Sequence, residues 1–168
     1  MAIHPASIDP EKLLEQCDVT RGRASGPGGQ HRNKVETAIT LIHRPTQVVG
    51  YAAERRSQAE NLRVALKRLR LNLAVEVRFP VDPYEPASAL WKSRLQKGRV
   101  IVSVSHADFP AVLAEAMDML AASKWDVPSA AAALGCTPSQ LVKLLKDEPR
   151  AIRWLNEERQ RAGLRIMK

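Results

Sequence analysis

The chain has 168 residues, of which 45% are hydrophobic and 26% charged, which predicts a folded protein and argues against widespread disorder. Basic residues outnumber acidic ones by 26 to 18, for a formal net charge of +8, while an aromatic content of 4% argues against a platform of rings that stack on bases. The two cysteines, Cys17 and Cys136, form no CxxC pair, which argues against a disulfide framework and favours a reducing compartment.

The sequence shows neither a membrane helix nor an N-terminal targeting segment. No apolar run approaches the roughly 18 residues of a membrane helix. The first twenty residues contain four acidic residues and no arginine, which fits neither a signal peptide nor a transit peptide. We therefore expect a cytoplasmic protein.

The first half of the chain predicts a small sheet entered by one short helix. Residues 11–16 are expected to form helical turns behind Pro10, and residues 17–24 a weakly alternating strand. Alternation over residues 37–43, a turn at Pro45-Thr46-Gln47 and a return over residues 48–53 predict a β-hairpin.

A long basic helix is predicted next. Apolar residues recur at helical spacing from Ser57 to Leu73, and cations occupy the other sides of that helix. Residues 20–78 carry twelve basic residues against four acidic ones. Such a segment would be attracted to a phosphate backbone, although a solvated basic surface explains the charge equally well.

The second half predicts helices separated by prolines. Three prolines between residues 80 and 86 mark a connecting segment, after which residues 87–96 predict a short helix that ends at Gly98. Residues 100–104 predict a strand or a lead into the next helix. Asp108 is expected to cap that helix, Thr137 to cap residues 139–146, and Gly163 to end a last helix that begins at Arg150.

These elements predict an α+β fold in three parts. Residues 1–79 form a small sheet with a long basic helix and a glycine-rich loop. Residues 80–107 form a Pro-rich connecting segment. Residues 108–168 form an all-helical unit that resembles a helix-turn-helix, although plain helix packing accounts for its alanines and glycine equally well.

Common catalytic sites have no counterpart in the residue pattern. The four histidines and two cysteines show no metal-ligand spacing, so no metal is expected. Residues 22–26 read GxxSG, which is not the GxSxG of a nucleophile elbow, and Lys34 is wrongly placed for a phosphate-binding Walker loop. No cofactor is expected either.

The remaining candidate is the loop Gly26-Pro27-Gly28-Gly29-Gln30. Its glycines permit backbone conformations and close approaches that a Cβ would block. Four cations and one histidine flank it, which suits entry into a polyanionic cavity: Arg21, Arg23, His31, Arg32 and Lys34. A flexible turn is the plainer interpretation of the same residues.

The stretch RASGPGGQHRNKVETAITLIHRPT, residues 23–46, resembles the catalytic domain of class I peptide chain release factors and of their ribosome-rescue relatives. Arg56-Ser57-Gln58 followed by Asn61 also opens the long helix as in that family. The resemblance covers roughly residues 15–75. Two positions depart from the family pattern: Gln47 stands where glycine is usual, which is expected to alter the hairpin turn, and Arg32 stands where valine is common.

The resemblance implies that the loop enters the peptidyl transferase centre and promotes attack of water on the ester of peptidyl-tRNA. Gly28 and Gly29 would shape the backbone, the N–H of Gln30 would stabilise the developing oxyanion, and its side chain would exclude larger nucleophiles. Gln30 is also a candidate for N-methylation, as in the family. Contacts with ribosomal RNA are expected from the flanking loop cations and from the long helix: Arg21, Arg23, His31, Arg32, Lys34, Arg56, Arg63, Lys67, Arg68 and Arg70.

Three functional hypotheses follow. The first is a monomeric, ribosome-associated peptidyl-tRNA hydrolase that acts without a stop codon, because the 168 residues show no codon-reading domain. The second is a non-catalytic factor that binds ribosomal RNA in large-subunit quality control. The third is a DNA-binding regulator built on the C-terminal helices, in which the second helix of the motif carries Lys143 and Lys146.

Overall fold

The computed structural model describes residues 3–23 and 36–168. The chain divides into two compact units, unit 1 being residues 1–76 and unit 2 residues 77–168. The predicted α+β class is confirmed. The residues of the predicted connecting segment 80–107 lie within unit 2.

Unit 1 is a three-stranded antiparallel sheet with one long helix against it. The strands lie in the order β1-β2-β3, so β2 is central. After a 3-10 turn at Pro5–Ser7, the elements are α1 (Pro10–Glu15), β1 (Cys17–Gly22), β2 (Ala38–His43), β3 (Val49–Ala52) and α2 (Gln58–Glu76). The predicted short helix, the strands and the long helix are therefore confirmed, with ends that differ by a few residues.

Helix α2 packs closely on β3 at Gly50. A methyl group on Gly50 would overlap the carbonyl oxygen of Ala65 and lie 2.6 Å from Cβ of Leu69. Leu69 and Ala65 are fully buried, as is Leu41 of the central strand. The absence of a side chain at position 50 therefore sets the distance between the helix and the sheet.

Side chains of α2 also cover the outer edge of β3. The Asn72 side-chain amide donates to the carbonyl oxygen of Val49 at 2.7 Å, and Arg68 donates to that of Tyr51 at 2.9 Å. Edge strands leave such groups exposed to pairing with other chains. In unit 1, Asn72 and Arg68 of α2 bind two of these carbonyl groups on β3.

The β2–β3 turn contains the departure from the family pattern at Gln47. Gln47 has φ of 60°, in the left-handed region that favours glycine. Its side chain donates to the carbonyl oxygen of Arg44 at 2.7 Å. Gln47 therefore has a backbone conformation that is strained for a residue with a Cβ, and the expected difference from the family's turn stays a prediction.

We expect Gln47→Gly to stabilise unit 1 by about 0.5–1 kcal/mol, because relief of the left-handed strain exceeds the loss of one exposed hydrogen bond. Urea unfolding followed by far-UV circular dichroism measures this change. A less stable variant would show instead that the bond from Gln47 to Arg44 outweighs the strain.

Unit 2 contains five helices and one small hairpin in the described part of the chain. Its core includes Trp91, Phe109, Leu113, Met117 and Leu141, all nearly inaccessible to solvent. The elements are α3 (Ala89–Arg94), β4 (Leu95–Gln96), β5 (Arg99–Val100), α4 (Phe109–Ala122), α5 (Val127–Leu134), α6 (Pro138–Lys146) and α7 (Pro149–Arg161).

Two local predictions in unit 2 are confirmed. The hydroxyl of Thr137 accepts from the N–H of Gln140 at 3.3 Å and caps α6. Gly163 follows the last helix with φ of 72°, a typical helix end.

Two others are corrected. The helix predicted over residues 87–96 ends at Arg94, because the chain then turns through Lys97 and Gly98 into a hairpin. Asp108 is the residue before α4, as predicted, but its side chain makes no capping hydrogen bond. Its carboxylate accepts instead from Nε and Nη2 of Arg94, at 3.1 and 2.5 Å.

A buried ion pair anchors the beginning of unit 2. The carboxylate of Asp118 on α4 accepts from the N–H of Phe79 at 3.0 Å and from Arg78 at 3.2 Å. Burial raises the pKa of Asp118 to about 6 and lowers the pKa of Arg78 to about 10, against their mutual attraction. The guanidinium also lies 5.4 Å from the ring centroid of Trp154. Residues 78–79 are thereby tied to α4.

Candidate functional site

The glycine-rich loop connects two strands that are paired up to its base. Gly22, the last residue of β1, lies opposite Ala38, the first residue of β2. The predicted catalytic residues Gly28, Gly29 and Gln30 lie outside the described residues, as do His31, Arg32 and Lys34. Arg21 and Arg23 are exposed near the base of the loop. The fold therefore holds the two ends of the loop next to each other.

The first turn of α2 holds the C-terminal end of that loop. The Asn61 side-chain amide donates to the carbonyl oxygen of Thr37 at 2.6 Å. The side chain of Gln58 donates to the carbonyl oxygen of Glu36. The residues that lead from the loop into β2 are thus bound to the long helix rather than to the sheet alone.

The buried side chain of Asn61 joins three segments. Besides Thr37, its amide nitrogen donates to the carbonyl oxygen of Arg55 at 3.0 Å, and its oxygen accepts from the N–H of Arg55 at 3.0 Å. Asn61 is fully buried, so these bonds satisfy an amide that would otherwise be costly to bury. The sequence marks Gln58 and Asn61 only as part of a motif, because the Glu36 and Thr37 carbonyl groups that they bind are more than 20 residues away in the chain.

The cations of the basic helix fall into two groups. Arg63 and Lys67 are exposed one turn apart on α2, and Arg56 is exposed just before it. Across the part of the chain that the structure describes, the side chains of these three make no hydrogen bond or ion pair. They form the free basic surface of unit 1, defined as Arg56, Arg63 and Lys67.

Arg68 and Arg70 are instead bound to the protein. Arg68 forms an ion pair with Glu54 at 2.6 Å, and the pKa of Glu54 is lowered by a hydrogen bond from its own backbone N–H and by Arg68. Arg70 donates through Nε and Nη2 to the carbonyl oxygen of Ala6, at 3.2 and 3.1 Å. Both guanidiniums are bound within unit 1. Their predicted contact with RNA stays a prediction.

His43 has a structural position rather than a catalytic one. It is 2% exposed, with Nδ1 2.7 Å from the Thr46 hydroxyl and Nε2 3.1 Å from Oε1 of Gln16. Burial, followed by the charge of Arg44, lowers the pKa of His43. Both ring nitrogens are engaged, so His43 holds the turn after β2 in place.

The residues predicted to resemble a helix-turn-helix form α5 and α6, joined by Gly135, Cys136 and Thr137. Gly135 has φ of 70° and ends α5. Lys143 and Lys146 are exposed on α6. The sequence interpretation thus locates two helices and a tight turn correctly, while nucleic-acid binding by them stays a prediction.

Neither cysteine is in a reactive setting. Cys17 and Cys136 are buried and free. Burial raises the pKa of both thiols, that of Cys136 to about 11. Among residues 3–23 and 36–168, no three His, Cys, Asp or Glu side chains cluster as metal ligands would. No helix in those ranges has the length and apolarity needed to cross a membrane.

Comparison with known proteins agrees with this architecture. The RF-1 domain family matches residues 5–101, more than half of the chain, and the chain belongs to that family. The match includes the sheet, the glycine-rich loop and α2, and it continues into β5 of unit 2.

Curated relatives are similar over a shorter range. Peptide chain release factor 1 of Symbiobacterium thermophilum is 43% identical over 67 residues, which are 40% of this chain and 19% of that protein. Peptide chain release factor 1-like, mitochondrial, of Mus musculus is 43% identical over 75 residues, or 44% and 20% of the two chains. The matched regions thus cover about one fifth of these relatives. No solved structure matches significantly.

Proposed function

We propose that the protein hydrolyses the ester of peptidyl-tRNA on the ribosome, as a release-factor-like hydrolase. The observation that carries the proposal is the sequence Gly28-Gly29-Gln30 inside the RF-1 family match, in the connection between β1 and β2. The relatives are named peptide chain release factors.

The proposed chemistry uses backbone donation rather than a protein base. The N–H of Gln30 would stabilise the charge that develops as water attacks the ester carbonyl. The Gln30 side chain would admit water and exclude larger nucleophiles, and ribosomal RNA would supply the rest of the site. His43, the histidine of β2, is buried with both nitrogens engaged, which agrees with a mechanism that needs no general base from the sheet.

The hydrogen bonds that the side-chain amides of Asn61 and Gln58 donate at the base of the loop support the same proposal. A donor is effective in catalysis only if it is held where charge develops. Asn61 and Gln58 bind the backbone that leads out of the loop, and the strand pair Gly22–Ala38 holds its two ends together. These contacts fix the positions of the two strand ends and of Glu36 and Thr37 relative to α2.

We further propose that hydrolysis does not depend on a stop codon and that unit 2 takes part in positioning. Support comes from unit 2 itself, in which α4 to α7 form an all-helical module with exposed lysines on α6. A factor that binds ribosomal RNA without catalysis is the second candidate, because the basic surface of unit 1 would serve either function.

Peptide release by the purified protein tests both points. Ribosomes carrying labelled peptidyl-tRNA would be prepared on three messages, with a stop codon, a sense codon or no codon in the A site. We expect release at similar rates on all three messages. Release confined to stop codons would refute codon independence, and binding without release on all three would favour the non-catalytic factor.

The exposed cations Arg63 and Lys67 on α2 are the ones we expect to contact ribosomal RNA. Replacing the free cations, as Arg63→Ala with Lys67→Ala, should weaken ribosome binding and reduce the slope of log affinity against log salt by about two, since about one counterion is released per phosphate contact. Co-sedimentation over a range of salt concentrations measures the slope.

The matched control is Arg68→Ala with Arg70→Ala, which removes the same charge from the same helix. Because both of these guanidiniums bind unit 1, we expect this variant to lose stability and to reduce the salt slope less than Arg63→Ala with Lys67→Ala does. Equal slopes for the two double variants would mean that position on α2 does not matter, and that only net charge acts.

A further inference from the structure

The chain that leads from the glycine-rich loop into β2 is held by side chains of α2. The pairing of β1 with β2 begins at Ala38, opposite Gly22, which is the residue after Thr37. Within residues 3–23 and 36–168, the backbone of Glu36 and Thr37 makes two hydrogen bonds, and both come from side-chain amides in the first turn of α2. The helix, rather than the sheet, therefore fixes these two residues.

Asn61 joins this backbone to the segment that enters α2. Its amide nitrogen donates to the carbonyl oxygens of Thr37 and Arg55, at 2.6 and 3.0 Å, and its oxygen accepts from the N–H of Arg55 at 3.0 Å. The next residue in the chain, Arg56, belongs to the free basic surface. Asn61 thus links the end of the loop to a segment that carries one of the cations expected to contact ribosomal RNA.

Gln58 makes a separate bond to the same connection. Its side-chain amide donates to the carbonyl oxygen of Glu36. Gln58 is half-buried, whereas Asn61 is fully buried, so water can solvate the groups that the Gln58 bond joins. Such a bond adds little to the free energy of folding. It does fix the direction in which the chain leaves the loop.

These bonds bear on the position of Gln30, which precedes Glu36 in the same connection. Each backbone residue that must be ordered for a reaction lowers the population of the productive state by a factor of about 5–30. Release of Glu36 and Thr37 from α2 would add two such residues to the chain that carries Gln30. Because a donor to developing charge must be in place before the reaction, this loss falls on the chemical step.

We propose that Gln58 and Asn61 are positioning residues for peptide release. They bind the end of the loop to α2 and thereby place the N–H of Gln30 relative to the surface that contacts the ribosome. The inference rests on the proposed hydrolysis at Gln30. It assigns to these two side chains an effect on the maximal rate of release, whereas the cations of the free basic surface act on affinity.

Gln58→Ala and Asn72→Ala form a matched pair that tests the proposal. Both side chains are half-buried on α2, and each donates an amide N–H to a backbone carbonyl group, that of Glu36 or that of Val49. Val49 pairs with Ile42, at the end of the sheet opposite to the loop. The two variants therefore remove the same kind of bond from the same helix at opposite ends of the sheet.

Single-turnover peptide release by the full chain, measured over a series of protein concentrations, separates the maximal rate from the half-saturating concentration. We expect Gln58→Ala to lower the maximal rate at least about fivefold, the effect of freeing one backbone residue. Its half-saturating concentration should change less than about twofold, because the basic surface is intact. Asn72→Ala should change both quantities less than about twofold, since its bond does not hold the loop.

Asn61→Ala is expected to have the larger effect, lowering the maximal rate at least about tenfold, because it frees Thr37 and Arg55 together. This variant leaves buried backbone groups unsatisfied and loses stability. Hydrogen exchange of the β2 amides therefore checks the fold of unit 1 in every variant. Gln58→Ala, which removes a half-buried side chain, decides the question if Asn61→Ala does not fold.

The maximal rates of the parent and of the variants distinguish the ways in which the proposal fails. Release by the parent with an unchanged maximal rate in Gln58→Ala would overturn the positioning role and leave the proposed function intact. A change confined to the half-saturating concentration would also overturn it, because the amides would then serve binding. An equal loss in Asn72→Ala would reduce the effect to a weakened α2. Absence of release by the parent would overturn the proposed function, and the positioning role with it.

Discussion

Gly29→Ala is expected to reduce peptide release by about 10²–10³-fold while folding and ribosome binding are kept. The resemblance to release factors implies a backbone conformation or close approach at position 29 that only glycine allows. A Cβ there would displace the N–H of Gln30 from the developing charge, and loss of one such donor costs about 3–4 kcal/mol. Single-turnover release at saturating protein measures the effect.

Gln30→Ala is the matched control for the backbone argument. It keeps the N–H and removes only the side chain, so we expect residual hydrolysis with poorer discrimination between water and an added small nucleophile such as hydroxylamine. Release at the parental rate by Gly29→Ala would show that the backbone-donor mechanism is wrong for this protein. Loss of ribosome binding by either variant, measured in parallel, would point to positioning instead.

Gly50→Ala is expected to destabilise unit 1 by about 3 kcal/mol, at the upper end of what overpacking costs. The new methyl group would overlap the carbonyl oxygen of Ala65, which belongs to the backbone of α2 and has no rotamer to change. Helix α2 and the sheet must therefore move apart, and Leu69 then loses its close packing against β3.

The same substitution at Gly22 is the control, since a Cβ there has no atom within 4 Å. We expect Gly22→Ala to change stability by less than about 0.5 kcal/mol. All three tryptophans, Trp91, Trp125 and Trp154, lie in unit 2, so their fluorescence does not report on unit 1. Amide hydrogen exchange of β2 reports on unit 1 directly. Equal exchange rates in Gly50→Ala and Gly22→Ala would refute the argument that α2 packs too closely on Gly50 to admit a methyl group.

Local patterns were sufficient to predict most elements of this fold. The helical spacing from Ser57 to Leu73 predicted α2, and alternation predicted β2 and β3, because each pattern reflects burial of one face. Thr137 and Gly163 were correctly placed at helix ends, since capping depends on a few neighbouring residues. The family resemblance, based on residues 23–46, was confirmed by the RF-1 match.

Long-range contacts were not predictable in the same way. Nothing near Arg70 in the chain indicates that its guanidinium binds Ala6, 64 residues away. Asp108 has the residue type and position of a cap, yet Arg94 binds its carboxylate, because a guanidinium is a stronger partner than a backbone N–H. The roles of Gly28, Gly29 and Gln30 stay predictions from the resemblance.

The boundary between the two units has a practical consequence, because the family match and the compact unit 1 end at different residues. The family match runs to residue 101, whereas unit 1 ends at Glu76. A fragment cut at residue 101 would keep Trp91 but lose Leu134, whose carbonyl accepts the indole N–H at 2.8 Å. That fragment would expose a ring that is 1% accessible in the full chain and invite aggregation. Homology alone would therefore select a poorer fragment for expression than one ending at residue 76.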